Sequence, residues 1–72
     1  MTVEQLKYNK ETDRIIFNGR ALQCGEYLEV LVFNGLNNKV EWIETKLELD
    51  EEDRWYLVGL LGYDIIGLFA RM

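Results

Sequence analysis

The 72 residues are expected to form one domain, 1–72, too short to build both a core and a deep catalytic cleft, because a chain of this size buries only about 60% of its unfolded surface. The chain has no His, Ser or Pro and a single Cys. Ser-His-Asp and Cys-His catalysis, His-based or Cys₄ zinc sites and an intrachain disulfide framework are therefore excluded within one chain, and a cytoplasmic location is expected. The net charge of −5 is local: Glu41–Asp53 holds seven acids against one base, Lys46, for −6, and the rest of the chain sums to +1.

The N-terminal stretch to Asp13 is polar and shows no apolar signal core. Within it, Gln5–Asn9 alternates, with Leu6 and Tyr8 on one side, as a short strand does. Lys10–Asp13 reads as a polar turn, and Arg14–Phe17 resumes as a strand, so Gln5–Phe17 is a predicted hairpin. Asn18-Gly19 tolerates positive φ at both positions and predicts a tight type I′ turn into Arg20-Ala21-Leu22. Cys24-Gly25-Glu26 breaks the pattern. Tyr27–Phe33 follows, apolar on both faces except for Glu29, which predicts a central strand covered on both sides.

After the loop Asn34–Asn38, Lys39–Leu49 alternates. Ile43, Thr45, Leu47 and Leu49 form a dry face, with Trp42, Glu44, Lys46 and Glu48 on the wet one. A helix over Val40–Asp53 is the alternative, since Val40, Ile43 and Leu47 also fit helical spacing, but Trp42 and Leu49 then lie off the stripe. Asp50–Asp53 is a polar turn. Arg54–Leu61 reads as a second two-faced strand bent at Gly59, and Ile65–Arg71 as a final strand bent at Gly67. No apolar stretch reaches the ~18 residues of a membrane span. The expected fold is all-β, a small antiparallel SH3-like barrel of five to six strands; the alternative is α+β with one helix near Val40–Asp53.

Leu22–Val30, LQCGEYLEV, is similar to the opening of a strand in SH3-like barrels. Arg14, Cys24-Gly25, Trp42, Thr45–Glu48, Trp55–Leu57, Gly67-Leu68 and Ala70-Arg71, in that order, resemble a family of small bacterial proteins of unknown function from Gram-positive genomes, their phages and mobile elements. The resemblance runs over about Tyr8–Arg71. The family usually has Arg at Lys46 and Val at Ala70. It implies a small cytoplasmic accessory protein and brings no activity with it.

Candidate sites follow from charge and aromatics. Cys24 has no base to activate it and is expected to be buried and structural. Glu44 and Glu48 lie about 13 Å apart along a strand, too far for a carboxylate dyad. Asp50–Asp53 lacks the alternating ligands and central Gly of a calcium loop. No catalytic residue, cofactor or metal is expected. The expected function is a non-enzymatic protein-binding module, a monomer or homodimer, whose acidic strip of Glu44, Glu48, Asp50, Glu51, Glu52 and Asp53, with Trp42 as anchor, meets a protein with a basic surface. In a phage or mobile-element setting the partner would be the nucleic-acid groove of a host defence protein. The alternative is a nucleic-acid-binding barrel using the bases of the N-terminal half, Lys7, Lys10, Arg14 and Arg20.

Overall fold

The computed structural model describes residues 2–60 and 62–72, and among them there is no helix. Eight strands run antiparallel: β1 Val3–Gln5, β2 Lys7–Asn9, β3 Arg14–Phe17, β4 Arg20–Ala21, β5 Tyr27–Asn34, β6 Lys39–Leu49, β7 Trp55–Leu57 and β8 Phe69–Arg71. They form a five-stranded sheet of order β1-β8-β5-β6-β7 and a three-stranded sheet of order β2-β3-β4. The chain is all-β, as its alternation predicts, and the two sheets enclose one core in a barrel-like arrangement.

The strand count exceeds the expected five to six because Gln5–Asn9 is divided between two strands and Arg20-Ala21 forms one of its own; two other predicted strands are cut short. Gln5–Asn9 splits at Leu6, whose side chain is buried. Gln5 pairs with Phe69 in one sheet and Lys7 with Ile16 in the other, so the chain changes sheets at a single residue. The Leu6 backbone bridges the step, donating to Leu68 O at 2.8 Å and accepting from Gly67 N at 2.9 Å. The predicted strand at Arg54–Leu61 is β7 alone. Beyond Leu57 the chain turns at Gly59, φ 80°, a conformation that favours glycine; Leu61 lies outside the described residues. Similarly, Ile65–Leu68 is a turn, and only Phe69–Arg71 is strand.

The turn chemistry holds where glycine and asparagine dictate it. Phe17 pairs with Arg20 across Asn18-Gly19, whose φ angles of 50° and 77° are both positive, as a I′ turn requires. β5 and β6 pair over eight positions, from Tyr27↔Lys46 to Asn34↔Lys39. Strand, not helix, wins at Val40–Leu49, because the period-2 pattern buries Thr45 and Leu47 together on the inner face. Thr45 is a buried polar residue among apolar ones, and its hydroxyl donates to Val58 O at 2.7 Å, leaving no unmet bond.

Leu6, Leu22, Val30, Leu47 and Leu57 are fully buried. Each contributes about 1.5–3 kcal/mol by leaving water. The inner face of β5, Leu28, Val30 and Val32, sits over Ile15 and Phe17 of the smaller sheet within this core. The outer face of β5 is not covered, contrary to the two-sided burial expected of Tyr27–Phe33. Tyr27 and Phe33 are exposed and Leu31 half-buried. The reason is size: three short strands are enough to cover one face of the larger sheet, and no layer is left for the other.

Candidate binding groove

The loop between β6 and β7 is ordered by Asp50. Its Oδ1 accepts the backbone N–H groups of Glu52 at 2.8 Å and Arg54 at 2.9 Å, and its Oδ2 accepts Arg54 Nε at 3.2 Å. The Arg54 N–H is the main cause that holds the Asp50 carboxyl below the usual carboxylate range. Asp53, φ 60°, provides the left-handed step that closes the loop. The extra residue shifts the register, so Trp55 faces Leu49, not Glu48 as a symmetric turn about residues 51 and 52 would require; Glu48 faces Tyr56.

That register puts Trp55 on the inner face of the sheet, at the margin of the core. Its indole N–H donates to Asp13 O at 2.9 Å, which pins the ring to the turn between β2 and β3. Two open clefts share Trp55, Asp13 and Asp53 as lining. One, of about 540 Å³, extends towards Arg14, Gln23 and Cys24. The other, of about 330 Å³, extends over Tyr8, Tyr63, Asp64 and Ile66. Tyr8 donates its phenol to Asp13 Oδ1 at 2.6 Å, and that bond pushes the phenol pKa up. Among the described residues, Asp13, Asp53 and Asp64 enter no ion pair, while Arg54 is already engaged by Asp50 and Glu52. Around Trp55 the molecule therefore presents a groove with aromatic walls and three carboxylates outside ion pairs; Arg14 and Arg54 also line it, but Arg14 is bonded to Leu22 O and Arg54 to Asp50 and Glu52, which leaves a surface suited to further cations lying against π faces.

The acidic strip expected from sequence lies where the alternation puts it, but it is partly paired. Trp42, Glu44, Lys46 and Glu48 do share the outer face of β6, and Asp50–Asp53 do project at the strand's end. Yet the strip is interrupted. Glu48 pairs with Lys46 at 3.2 Å, Asp50 and Glu52 pair with Arg54, and only Glu44, Glu51 and Asp53 of the predicted acids stay outside ion pairs among the described residues. Trp42 is half-buried. The Arg71 guanidinium lies 4.3 Å from its ring centroid and is itself held by Glu29 at 3.1 and 3.2 Å. Trp42 thus already has its cation. It also lies about 26 Å along the strand from the acidic loop, at ~3.3 Å per residue.

Cys24 corrects another expectation. It is exposed, not buried, because Gln23–Glu26 closes as a tight turn, Glu26 N to Gln23 O at 3.2 Å, with Gly25 at φ 93°. Its thiol donates to Glu48 Oε2 at 3.0 Å, which holds the thiol pKa above its ordinary value and keeps it a poor nucleophile at neutral pH. Of the N-terminal bases, Arg14 donates to Leu22 O at 2.7 Å and Arg20 pairs with Glu26 at 2.9 Å, so two of the four are committed within the fold. Sequence reasoning missed Tyr8, Asp13, Tyr63 and Asp64 as a group. They come from β2, the turn after it and the loop before β8, towards either end of the chain, and no spacing in the sequence joins them.

These features define a small all-β domain with an open acidic and aromatic groove. The chain belongs to the family described as a domain of unknown function, DUF5348, whose family model matches residues 4–71. No curated protein and no solved structure matches it significantly. Among the described residues, no helix is long and apolar enough to cross a membrane.

Proposed function

We propose that the protein is a non-enzymatic binding module that engages a protein partner through a basic surface of that partner. The observation that carries this reading is the groove at Trp55, where Asp13, Asp53 and Asp64 surround aromatic walls without a cation of their own. An Arg or Lys side chain entering there gains both a carboxylate and a π face. The wider acidity of Glu44, Glu51 and Asp53 would raise the association rate at low salt. In the phage or mobile-element setting implied by the sequence resemblance, the partner would be a host defence protein whose nucleic-acid groove this acidic surface fills.

The test is a titration against Arg-rich and Lys-rich octapeptides, and against DNA and RNA oligonucleotides, at low and moderate salt. The triple variant Asp13→Asn, Asp53→Asn, Asp64→Asn is expected to weaken peptide binding by at least about tenfold, the effect of losing close charge pairs. A matched triple at Glu4, Glu41 and Glu44, each changed to Gln, alters net charge equally and is expected to leave binding within about twofold after long-range attraction is screened by salt. Equal losses in the two triples would show a mere net-charge effect. Tight oligonucleotide binding that weakens on changing Lys10 and Arg20 to Ala would replace this reading with the nucleic-acid one.

A further inference from the structure

The outer face of the larger sheet carries an apolar surface that the groove does not use. Phe33 and Val40 face one another across β5 and β6, and Leu31 and Trp42 form the next pair. The β5–β8 register, Val30↔Ala70, sets Phe69 level with Leu31. Phe33 is 57% exposed, Val40 63%, and Leu36, at the tip between them, 99%. Together with half-exposed Phe69 and Val3 of β1 they offer on the order of 500 Å² of apolar surface, at the upper end of what a monomer leaves bare. β8 reaches only Glu29 and Val30, and β7 only Leu47–Leu49. Among the described residues, the hairpin from Leu31 to Trp42 therefore projects as a two-stranded ribbon with no third strand beside it, and such a ribbon is marginal in water by itself.

We infer that this face is a self-association surface, on which two copies of the chain pack their β5–β6 ribbons sheet against sheet. Two observations select a second copy as the occupant. First, most charges bordering the patch are closed on themselves, Arg71 with Glu29 and Lys46 with Glu48, and Glu44 is the one acid of this face outside an ion pair among the described residues, so the face has little net field to attract an oppositely charged partner. This differs from the groove, whose carboxylates are open. Second, the apolar area, with the half-buried Leu31 and Trp42 and a polar rim added, comes close to the ~800 Å² that each partner contributes to a standard interface. Two ribbons stacked about 10 Å apart bury each other's Phe33 and Val40 as the two sheets of a sandwich do. The acidic loop stands at the other end of β6 from the patch, which keeps the repelling ends apart.

The experiment is sedimentation equilibrium of the full chain from low to high micromolar concentration, with isotope-filtered NOEs on a mixture of labelled and unlabelled protein. Conversion from an 8.5 kDa species to one of twice that mass is expected, with intermolecular NOEs from Phe33 and Val40. Phe33→Lys and, at the opposite side of the patch, Val3→Lys are each expected to raise the dimer dissociation constant at least tenfold while the circular dichroism spectrum is retained. A wild-type chain that stays monomeric over the whole range overturns the inference. So does a dimer whose intermolecular NOEs come from the Trp55 groove, or one that neither variant weakens. The NOEs read the wild-type chain, so they decide the matter even where a variant fails to fold. Peptide capture by the groove is measured separately and does not enter this outcome.

Discussion

Trp42 and Trp55 flank the same acidic loop in sequence and end on opposite faces of the sheet. Both are half-buried aromatics near acids, and the difference lies in what already touches them. Trp42 has Arg71 stacked on it, and Arg71 is neutralised by Glu29. Trp55 is held by its own N–H to a backbone carbonyl, and among the described residues Asp13, Asp53 and Asp64 beside it enter no ion pair, since the neighbouring Arg54 is taken by Asp50 and Glu52. An aromatic side chain with its cation supplied from within is a piece of structure. One ringed by carboxylates outside ion pairs is, on the proposed function, open to a cation from a partner. Composition cannot separate the two, because it counts Arg71 and Arg54 alike.

The largest perturbation removes the contrast altogether. Leu57 pairs with Leu47 in the core beneath both faces. Leu57→Ala is expected to cost about 2–5 kcal/mol, a large share of a small domain's stability, and thermal melting checks it. A melting temperature that does not move would mean that the core is misplaced. A middle-sized change strips Trp42 of its cation. Arg71→Met removes the stacked guanidinium and the Glu29 pair, and is expected to lower stability by about 1–2 kcal/mol by denaturant titration. Trp42 emission should shift while peptide binding at the groove stays the same. If binding fell with it, the two faces would be coupled and the contrast false.

The smallest effect is on acid stability. Asp50 has its folded pKa depressed, chiefly by the Arg54 N–H bond. Its contribution is therefore complete above the unfolded value of ~3.9 and is lost as pH falls through the lower folded value. Asp50→Asn keeps an oxygen to accept the loop N–H groups but cannot titrate. Its melting temperature is expected to lie below that of the wild-type chain at pH 7 and to fall less steeply below about pH 4, so that the two converge in acid.

Much of the fold was legible. Alternation over Ile43–Leu49 marked a long strand with its dry face in the core, and Asn18-Gly19 marked its turn, since both signals are local. The errors came where tertiary size decides. Tyr27–Phe33 looks buried on both sides, but a chain this short has no second layer to spend on its outer face. Gln5–Asn9 looks like one strand, but Leu6 is the corner where the chain passes between sheets. Of the groove, the sequence singles out only Asp53 as a binding residue; Trp55 reads as part of a strand, where it lies, with nothing to mark it as a wall of a site. The rest of the groove is assembled by strands and turns some 40 to 55 residues apart, Asp13 against Trp55 and Tyr8 against Tyr63, and nothing short of the fold brings them together.

On the proposed function Trp55, not Trp42, faces the partner. The two indole N–H resonances report on this directly in a ¹⁵N correlation spectrum during titration with the Arg-rich octapeptide. A progressive, saturable shift of the Trp55 indole signal is expected, with the backbone amides of Asp13, Asp53 and Asp64 moving alongside it and the Trp42 signal still. Movement of Trp42 with Glu44 and Glu48 while Trp55 stays in place would contradict it.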